Sequence, residues 1–321
     1  MSALVRTTLT RLRVCTSVLG NRQLPSATNQ ITSRWLSTST FTQNSRYYDS
    51  QSGRWMNVPG AAGIRIHDAT LAGGITSSLP LEERFRLLET LIAAGPYSVE
   101  LWEGAVEEIR RTRWTNEAPV NIVAKVDKPE QCEPELYRAA AQVALGVRCD
   151  DKDALASDLR QAREIIKEAS DVGLQVRAYV LNAFEGEDGD DNLHHAAAHE
   201  AVLQLADQGA DLIVLSDCRG LAHEDSLREL VEEAFYMDVV GDTMLERLGV
   251  RASLDNCRLA ARFGVQHFDA GMSPPPAGAG QPVVPDPRGL LRVLEEEGKE
   301  CSTDPRALDT LFAELAAQTK Q

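Results

Sequence analysis

The sequence predicts a (β/α)8 barrel of the TIM type, and three observations lead to this fold class. Helical stretches rich in alanine and leucine repeatedly end at a glycine that is followed by a short β-branched run. Eight nearly continuous apolar runs alternate with helical stretches, as expected where both faces of a parallel sheet are covered. No G-x-G-x-x-G motif follows a strand, which weakens the alternative of an open doubly wound sheet. The pattern therefore favours a closed barrel.

The joints between helices and strands lie at Gly95, Gly173, Gly209 and Gly264. Glycine adopts the left-handed conformation that ends a helix and lets the chain reverse into a strand. Each of these glycines is therefore predicted to close one helix and to open the next strand.

The predicted strands and helices follow in order along the chain. The strands are 64–68, 97–102, 120–126, 143–149, 175–182, 212–217, 249–254 and 265–270, of which the seventh is doubtful. The helices are 81–94, 154–172, 192–208, 224–234 and 255–263. Residues 285–321, which contain LLRVLEEE and ALDTLFAELAAQ, predict two further amphipathic helices.

Residues 1–48 have the composition of a mitochondrial transit peptide. They contain six arginines among many serines and threonines, and no acidic residue precedes Asp49. An ordinary N-terminal tail rarely excludes acidic residues so completely. We therefore expect a transit peptide at 1–48, a linker at 49–62 and a barrel domain at 63–321, with the mature protein in the mitochondrial matrix.

The charge of the remaining chain excludes one class of partner. Residues 49–321 carry 27 basic and 48 acidic residues, so their net charge is -21, compared with -15 for the whole chain. Such an acidic protein repels phosphate backbones, which argues against nucleic-acid binding. No apolar run approaches the roughly 20 residues of a membrane-spanning helix, so no membrane partner is expected. The six cysteines form no C-x-x-C pair, and free buried thiols are expected.

Residues 62–300 resemble the HMG-CoA lyase branch of the metal-dependent lyases and aldolases built on this barrel. The resemblance rests on the order and spacing of IRIHDATLAGGI at 64–75, SVEL at 98–101, QVRAYVLNAFEG at 175–186, LIVLSDCRGLA at 212–222 and VQHFDAGMSPPPAGAG at 265–280. It implies a divalent metal that chelates the carbonyl and hydroxyl oxygens of the substrate, and an arginine that stabilises the developing enolate. It also implies a homodimer, because the C-terminal helices of this family contact a second subunit.

The resemblance implies several metal-site residues that this sequence lacks. Ala72 and Gly73 stand where the family has its arginine and its metal-binding aspartate. Residues 241–256 contain no histidine, although the family carries His-x-His at the seventh strand. Pro275 and Val284 stand where the family has a reactive cysteine and a metal-binding asparagine. No metal site and no cofactor are therefore predicted.

Two acids of the family's active site are present. Glu100 ends the second predicted strand, and Asp217 ends the sixth. Without a metal or an arginine beside them, these carboxylates are expected to repel each other and the phosphates of an acyl-CoA. They either retain some chemistry or are relics held by local hydrogen bonds. Asp68, inside the first strand, lies five residues before the position of the lost aspartate.

The histidines offer further candidate residues. His67 lies in the first strand and points either into the barrel or toward its helices, where a core histidine with satisfied hydrogen bonds is expected. His223 follows the sixth strand, where a new ligand contact is an alternative to an exposed loop side chain. His195 and His199 are spaced i, i+4 and could share a metal, but a solvated helix face is favoured. His267 is expected to pack within its strand.

These observations lead to three functional hypotheses. The first is a catalytically inactive mitochondrial homologue of HMG-CoA lyase that binds a metabolite, such as a small acyl-CoA or oxo-acid, or a protein partner. The second is an active carbon–carbon lyase or aldolase on such a ligand that uses Glu100, Asp217, His67 or His223 without a metal. The third is a structural subunit of a mitochondrial complex.

Overall fold

The computed structural model describes residues 46–49, 54–57, 63–72, 79–112, 120–149, 152–184, 191–218, 220, 222–236, 238–239, 242–243, 247–271, 284–301 and 303–318. The predicted transit peptide lies almost entirely outside these residues, as do Gly73 and Pro275. The described residues belong to one unit, Asn44–Gln321.

Twelve strands are present in the described residues. They are β1 (Arg46–Asp49), β2 (Arg54–Asn57), β3 (Arg65–Asp68), β4 (Ser98–Glu100), β5 (Asn121–Lys125), β6 (Gln142–Arg148), β7 (Gln175–Leu181), β8 (Leu212–Ser216), β9 (Asp238–Val239), β10 (Asp242–Thr243), β11 (Leu248–Arg251) and β12 (His267–Ala270). Two short antiparallel pairs, β1 with β2 and β9 with β10, were not predicted from the sequence.

The other eight strands form a closed parallel barrel in the order β3-β4-β5-β6-β7-β8-β11-β12, with β12 pairing back to β3. The predicted barrel is therefore confirmed, and the open doubly wound alternative is wrong. The doubtful seventh strand is real, but it ends at Arg251 instead of Leu254, because Leu254 is the first residue of the next helix.

Nine α-helices lie in the described part of the chain. They are α1 (Leu81–Ala94), α2 (Ala105–Thr112), α3 (Pro134–Ala139), α4 (Lys152–Asp171), α5 (Asp191–Gln208), α6 (Glu224–Tyr236), α7 (Leu254–Arg262), α8 (Pro287–Glu296) and α9 (Pro305–Gln318). All five predicted helices and both C-terminal amphipathic helices are present. The short helices α2 and α3 were not predicted. The last helix, α9, packs against α1.

The four predicted joints between helices and strands have the expected backbone. Gly95, Gly173, Gly209 and Gly264 all have positive φ angles, of 71°, 78°, 97° and 97°. At Gly95 the backbone N–H donates to the carbonyl of Ile92 and closes α1. The left-handed conformation that only glycine adopts without strain is therefore used at each joint.

Alternation along the strands divides the core into two regions. Side chains such as Ile66, Val99 and Phe268 face the helices and belong to the large apolar core. A separate small cluster fills part of the barrel interior, and it consists of Val123, Ala144, Tyr179, Leu212 and Val214. Many of the remaining inward positions carry polar side chains, which form the networks described below.

The described cysteines are free thiols. Cys132, Cys149 and Cys257 are buried as expected, whereas Cys218 is exposed and Cys301 is half-buried, so the expectation of buried thiols was wrong for these two. Burial raises the pKa of Cys257 to about 12 and that of Cys132 to about 11. Thiols with such pKa values are poor nucleophiles at neutral pH.

Within the described residues, no helix combines the length and the apolar character that a membrane span requires.

Candidate functional site

The carboxyl ends of the barrel strands enclose a network of buried charged groups. Tyr179 of β7 places its hydroxyl 2.7 Å from Glu100 Oε2 and 2.9 Å from Asp269 Oδ2. The Arg177 guanidinium donates to the other oxygen of Asp269. Arg177, Tyr179 and Asp269 are buried, while Glu100 retains 9% of its surface toward solvent. Glu100 is therefore the member of this network that a ligand can most readily reach.

This arrangement follows from alternation along three strands. Arg177 and Tyr179 are two residues apart in β7, so both point into the barrel. Asp269 in β12 and Glu100 at the end of β4 also point inward, as their contacts with Tyr179 show. Barrel closure thus brings side chains from three non-adjacent strands to one point on the axis.

A second arginine lies beside this network. The guanidinium carbon of Arg251, the last residue of β11, lies 5.7 Å from the centroid of the Tyr179 ring, and that of Arg177 lies 5.2 Å away. Burial acts to lower the pKa of Arg251, but the neighbouring Tyr179, Glu100 and Asp269 outweigh it and raise that pKa. Burial raises the pKa of Tyr179 well above its ordinary value. Both guanidinium groups are therefore charged, and the phenol is neutral.

The two acids identified from the sequence have different surroundings. Glu100 contacts Tyr179, as described above, whereas the Asp217 carboxylate accepts hydrogen bonds from the backbone N–H groups of Gly220, at 2.7 Å, and Ala222, at 3.2 Å. Asp217 therefore stabilises the loop that follows β8. The expectation that no arginine lies beside these acids was wrong for Glu100, because the charge of Glu100 acts on both Arg177 and Arg251.

The described residues at the metal positions implied by the resemblance do not suit a divalent metal. Ala72 presents a methyl group, and Val284 lies beside the end of β12, where a side chain added at Gly271 would be 3.4 Å from a Val284 methyl. The His-x-His pattern of the family has two positions separated by one residue. At the end of the seventh barrel strand, Arg251 and Ser253 occupy two such positions, and the Ser253 hydroxyl accepts from Asn256 N–H at the start of α7. No group of three His, Cys, Asp or Glu in the described residues could hold a metal ion. A guanidinium repels a cation, and aliphatic groups offer it no ligand atom.

His67 lies inside the barrel, nearer the amino ends of the strands. Its Nδ1 is 2.6 Å from Ser98 Oγ, and its Nε2 is 2.9 Å from His267 Nδ1. Arg65 donates to His267 Nε2 at 3.1 Å. Because an arginine can only donate, His267 carries its proton on Nδ1 and donates to His67, which in turn donates to Ser98.

The other histidines lie away from this interior. His195 and His199, both on α5, approach the same carboxylate oxygen of Glu233 on α6, at 3.1 and 3.6 Å. His223 has an exposed side chain, and its backbone carbonyl accepts from Leu227 N–H at the start of α6. The structure therefore places none of these three histidines beside the Glu100 network.

Asp68 is fully buried at the end of β3. Its carboxylate accepts a hydrogen bond from Thr70 N–H at 2.8 Å, and the Thr70 side chain forms a further hydrogen bond with the same carboxylate. Burial raises the pKa of Asp68 to about 6, although the Thr70 hydrogen bonds lower it, and the charge of Asp269 adds to the increase. Asp68 is thus a buried acid that is partly protonated near neutral pH.

Sequence reasoning missed Arg177, Tyr179, Asp269 and Arg251 as members of the site. A signal was available in β7, because Gln175, Arg177 and Tyr179 occupy alternate positions between apolar residues. Polar residues on one face of such a strand indicate a polar barrel interior. Their partners could not be identified in the same way, since those partners lie on distant strands.

No family model matches this sequence, and no curated protein matches it significantly. Solved structures do match its fold. The HMG-CoA lyase from Brucella melitensis is 18% identical with a TM-score of 0.68, and the alignment covers 81% of this chain and 99% of that one. The HMG-CoA lyase from Acinetobacter baumannii in complex with coenzyme A and 3-methylmalate is 17% identical with a TM-score of 0.66, covering 81% and 92%.

A third structure has the same barrel in a different enzyme. The carboxyl transferase domain of pyruvate carboxylase from Rhizobium etli, with pyruvate, is 14% identical with a TM-score of 0.55, covering 80% of this chain and 48% of that one. The resemblance identified from the sequence is thus confirmed at the level of the fold. At these identities the fold alone is shared, because one barrel supports many chemistries.

Proposed function

We propose that this protein is a metabolite-binding barrel of the HMG-CoA lyase type that no longer performs metal-dependent carbon–carbon cleavage. One observation carries the proposal: the end of the seventh barrel strand presents Arg251 and Ser253, and the neighbouring positions present Ala72 and Val284. None of these residues supplies a donor set for a divalent metal. A barrel mouth without metal ligands can still bind a small molecule, since pockets at this end of the fold are built from the strand ends and the loops after them.

The ligand class follows from the charges at the mouth. The charges of Glu100 and Asp269 act on the nearby Arg177 and Arg251, so Glu100 is not the carboxylate without a neighbouring arginine that the sequence suggested. A carboxylate or an oxo-acid, free or as part of an acyl-CoA, fits this balance. The likeness to an HMG-CoA lyase described with coenzyme A and 3-methylmalate supports these two molecules as probes.

The test is a calorimetric titration of the full-length protein with Mg²⁺ and Mn²⁺, alone and with 3-methylmalate and coenzyme A, followed by an HMG-CoA cleavage assay on the same sample. We expect ligand binding that is unchanged by EDTA, with neither stoichiometric metal binding nor metal-stimulated cleavage. Stoichiometric metal binding together with metal-dependent cleavage would overturn the proposal.

Acid–base chemistry without a metal is the second candidate, and the position of Tyr179 favours it. A phenol has one proton, yet Tyr179 lies within hydrogen-bonding distance of two carboxyl groups. The phenol can therefore donate to only one of them at a time, and Glu100, which is accessible from the mouth, could exchange a proton with a ligand there. Turnover of an oxo-acid or acyl-CoA in EDTA that is abolished by Glu100→Gln would identify this activity, whereas turnover unaffected by that change would exclude Glu100.

We also propose that the protein acts in the mitochondrial matrix, which the acid-free, arginine-rich segment 1–48 supports. We expect isolated mitochondria to import the full-length chain in a potential-dependent manner and to shorten it near residue 48. A variant in which the arginines at positions 6, 11 and 13 are replaced by glutamate should fail to enter. Equal import of both proteins would contradict the proposed location.

The partner proposed from the resemblance is a second copy of the chain. The amphipathic helices α8 and α9 support it, since such helices contact the second subunit in the family. A structural role in a larger mitochondrial complex has no specific support among the described contacts.

A further inference from the structure

Arg251 is set apart from the other charged side chains at the barrel mouth. It is the last residue of the seventh barrel strand, it is half-buried, and its guanidinium lies over the Tyr179 ring. In the described part of the structure its side chain makes no hydrogen bond and no ion pair, although its backbone carbonyl accepts from Asp217 N–H. Arg177, over the same ring, is instead paired with Asp269.

An unpaired guanidinium in this position is poised to bind an anion. The neighbouring acidic groups keep Arg251 charged without contacting it as ion-pair partners. A partly buried charge without a partner is unfavourable, and a ligand carboxylate would supply the missing charge-assisted hydrogen bonds. The planar guanidinium can bind a carboxylate through two parallel hydrogen bonds, so it also orients the ligand.

Glu100 adds a second point of recognition. Its Oε2 faces Tyr179, whereas its Oε1 has no hydrogen-bond partner among the described residues. Glu100 bonds the Tyr179 hydroxyl and the Arg251 guanidinium lies over the Tyr179 ring, so the two groups are arranged around the same side chain. A ligand whose carboxylate binds Arg251 could therefore donate a neighbouring hydroxyl group to Glu100 Oε1.

We propose that Arg251 is the anchor for a small hydroxycarboxylate ligand, and that its positively charged guanidinium replaces a metal ion in binding this ligand. This inference rests on the proposed metabolite-binding function and names its ligand class. The carboxylate binds the Arg251 guanidinium, the hydroxyl group of the ligand donates to Glu100, and no divalent cation takes part.

The experiment is calorimetry of the full-length protein in EDTA, with 3-methylmalate, methylsuccinate and inorganic phosphate as probes. We expect 3-methylmalate to bind more tightly than methylsuccinate, which lacks the hydroxyl group, and more tightly than phosphate. Arg251→Met should weaken 3-methylmalate binding by about 10- to 100-fold, and Arg251→Lys should weaken it less, because a charge remains without the paired geometry. Glu100→Gln should bring the affinities for 3-methylmalate and methylsuccinate closer together.

Arg148→Met is the matched control. Arg148 is also the last residue of a barrel strand, but its guanidinium is occupied by Asp158 through bonds of 2.9 and 3.0 Å. Its replacement should leave ligand affinity unchanged, and the melting temperature of each variant shows whether it is folded.

The outcomes separate this inference from the proposed function. If 3-methylmalate binds in EDTA and Arg251→Met binds it equally well, the anchor is wrong while metal-independent binding stands. Binding only in the presence of Mg²⁺ or Mn²⁺ would overturn both proposals. Failure of all probes to bind in EDTA, or equal affinity for phosphate and 3-methylmalate, would overturn the hydroxycarboxylate assignment.

Discussion

Replacing Asp269 with asparagine is expected to lower the free energy of unfolding by about 3–5 kcal/mol, the typical effect of removing one partner from a buried ion pair. Arg177 is only 1% exposed, and its buried Nε already has no hydrogen-bond partner. Without the aspartate charge, the guanidinium would be a buried cation that no carboxylate contacts directly. Urea denaturation at neutral pH, compared with the wild-type protein, measures the loss.

The double variant Arg177→Met with Asp269→Asn separates the charge effect from a packing effect. It should recover much of the lost stability, because a pair of neutral side chains needs no counterion. The exposed ion pair of Arg228 and Glu224 is the control, and Glu224→Gln should change the unfolding free energy by less than about 1 kcal/mol. If Asp269→Asn lowered the unfolding free energy by no more than the Glu224→Gln control, Arg177 would not be a buried, charged partner of Asp269.

Asp68→Asn is expected to raise the unfolding free energy at pH 7.5 by up to about 3 kcal/mol. Burial raises the pKa of Asp68 in the folded protein from 3.8 to about 6. Between these values the unfolded chain releases the proton while the folded protein keeps it. The stabilisation by the protonated carboxyl group is therefore complete below the unfolded pKa and is lost as the pH rises through 6.

The pH dependence of the gain in stability shows whether the charge of Asp68 or better packing is its cause. Asparagine keeps the oxygen that accepts from Thr70 N–H, so the gain should be present at pH 7.5 and nearly absent at pH 4. Asp207 on α5 is exposed, and Asp207→Asn serves as the control that should change stability little at either pH. A gain of equal size at both pH values would show that the charge of Asp68 is not the cause.

The order of elements in the barrel could be predicted because its signals are local. Apolar runs mark the eight strands, and glycines at the four joints must adopt positive φ angles whatever the distant chain does. The short helices α2 and α3 and the pairs β1–β2 and β9–β10 escaped prediction. Segments of 2 to 8 residues carry too little periodicity to be separated from loops.

The candidate site could be predicted only in part. The positions of Glu100 and Asp217 at strand ends followed from the strand boundaries, and the lack of metal ligands stays a prediction from the identities of Ala72, Gly73 and Val284. The relation of Glu100 to Tyr179 and Arg251 did not follow, because these residues lie on separate strands whose spacing around the barrel depends on its closure. The two acids thus have different partners although their sequence contexts are similar.

By itself, the sequence determined the (β/α)8 architecture, since this depends on residue identity and local backbone preference, and through the resemblance it predicts the loss of the metal-binding residues. Only the tertiary structure decided which charges meet. Arg177 and Asp269 are 92 residues apart in the chain and form a buried ion pair because barrel closure leaves only β8 and β11 between β7 and β12, and both side chains point inward. The same closure leaves the Arg251 side chain without a directly contacting carboxylate among the described residues, because electrostatic pairing depends on distance in space and not on separation in sequence.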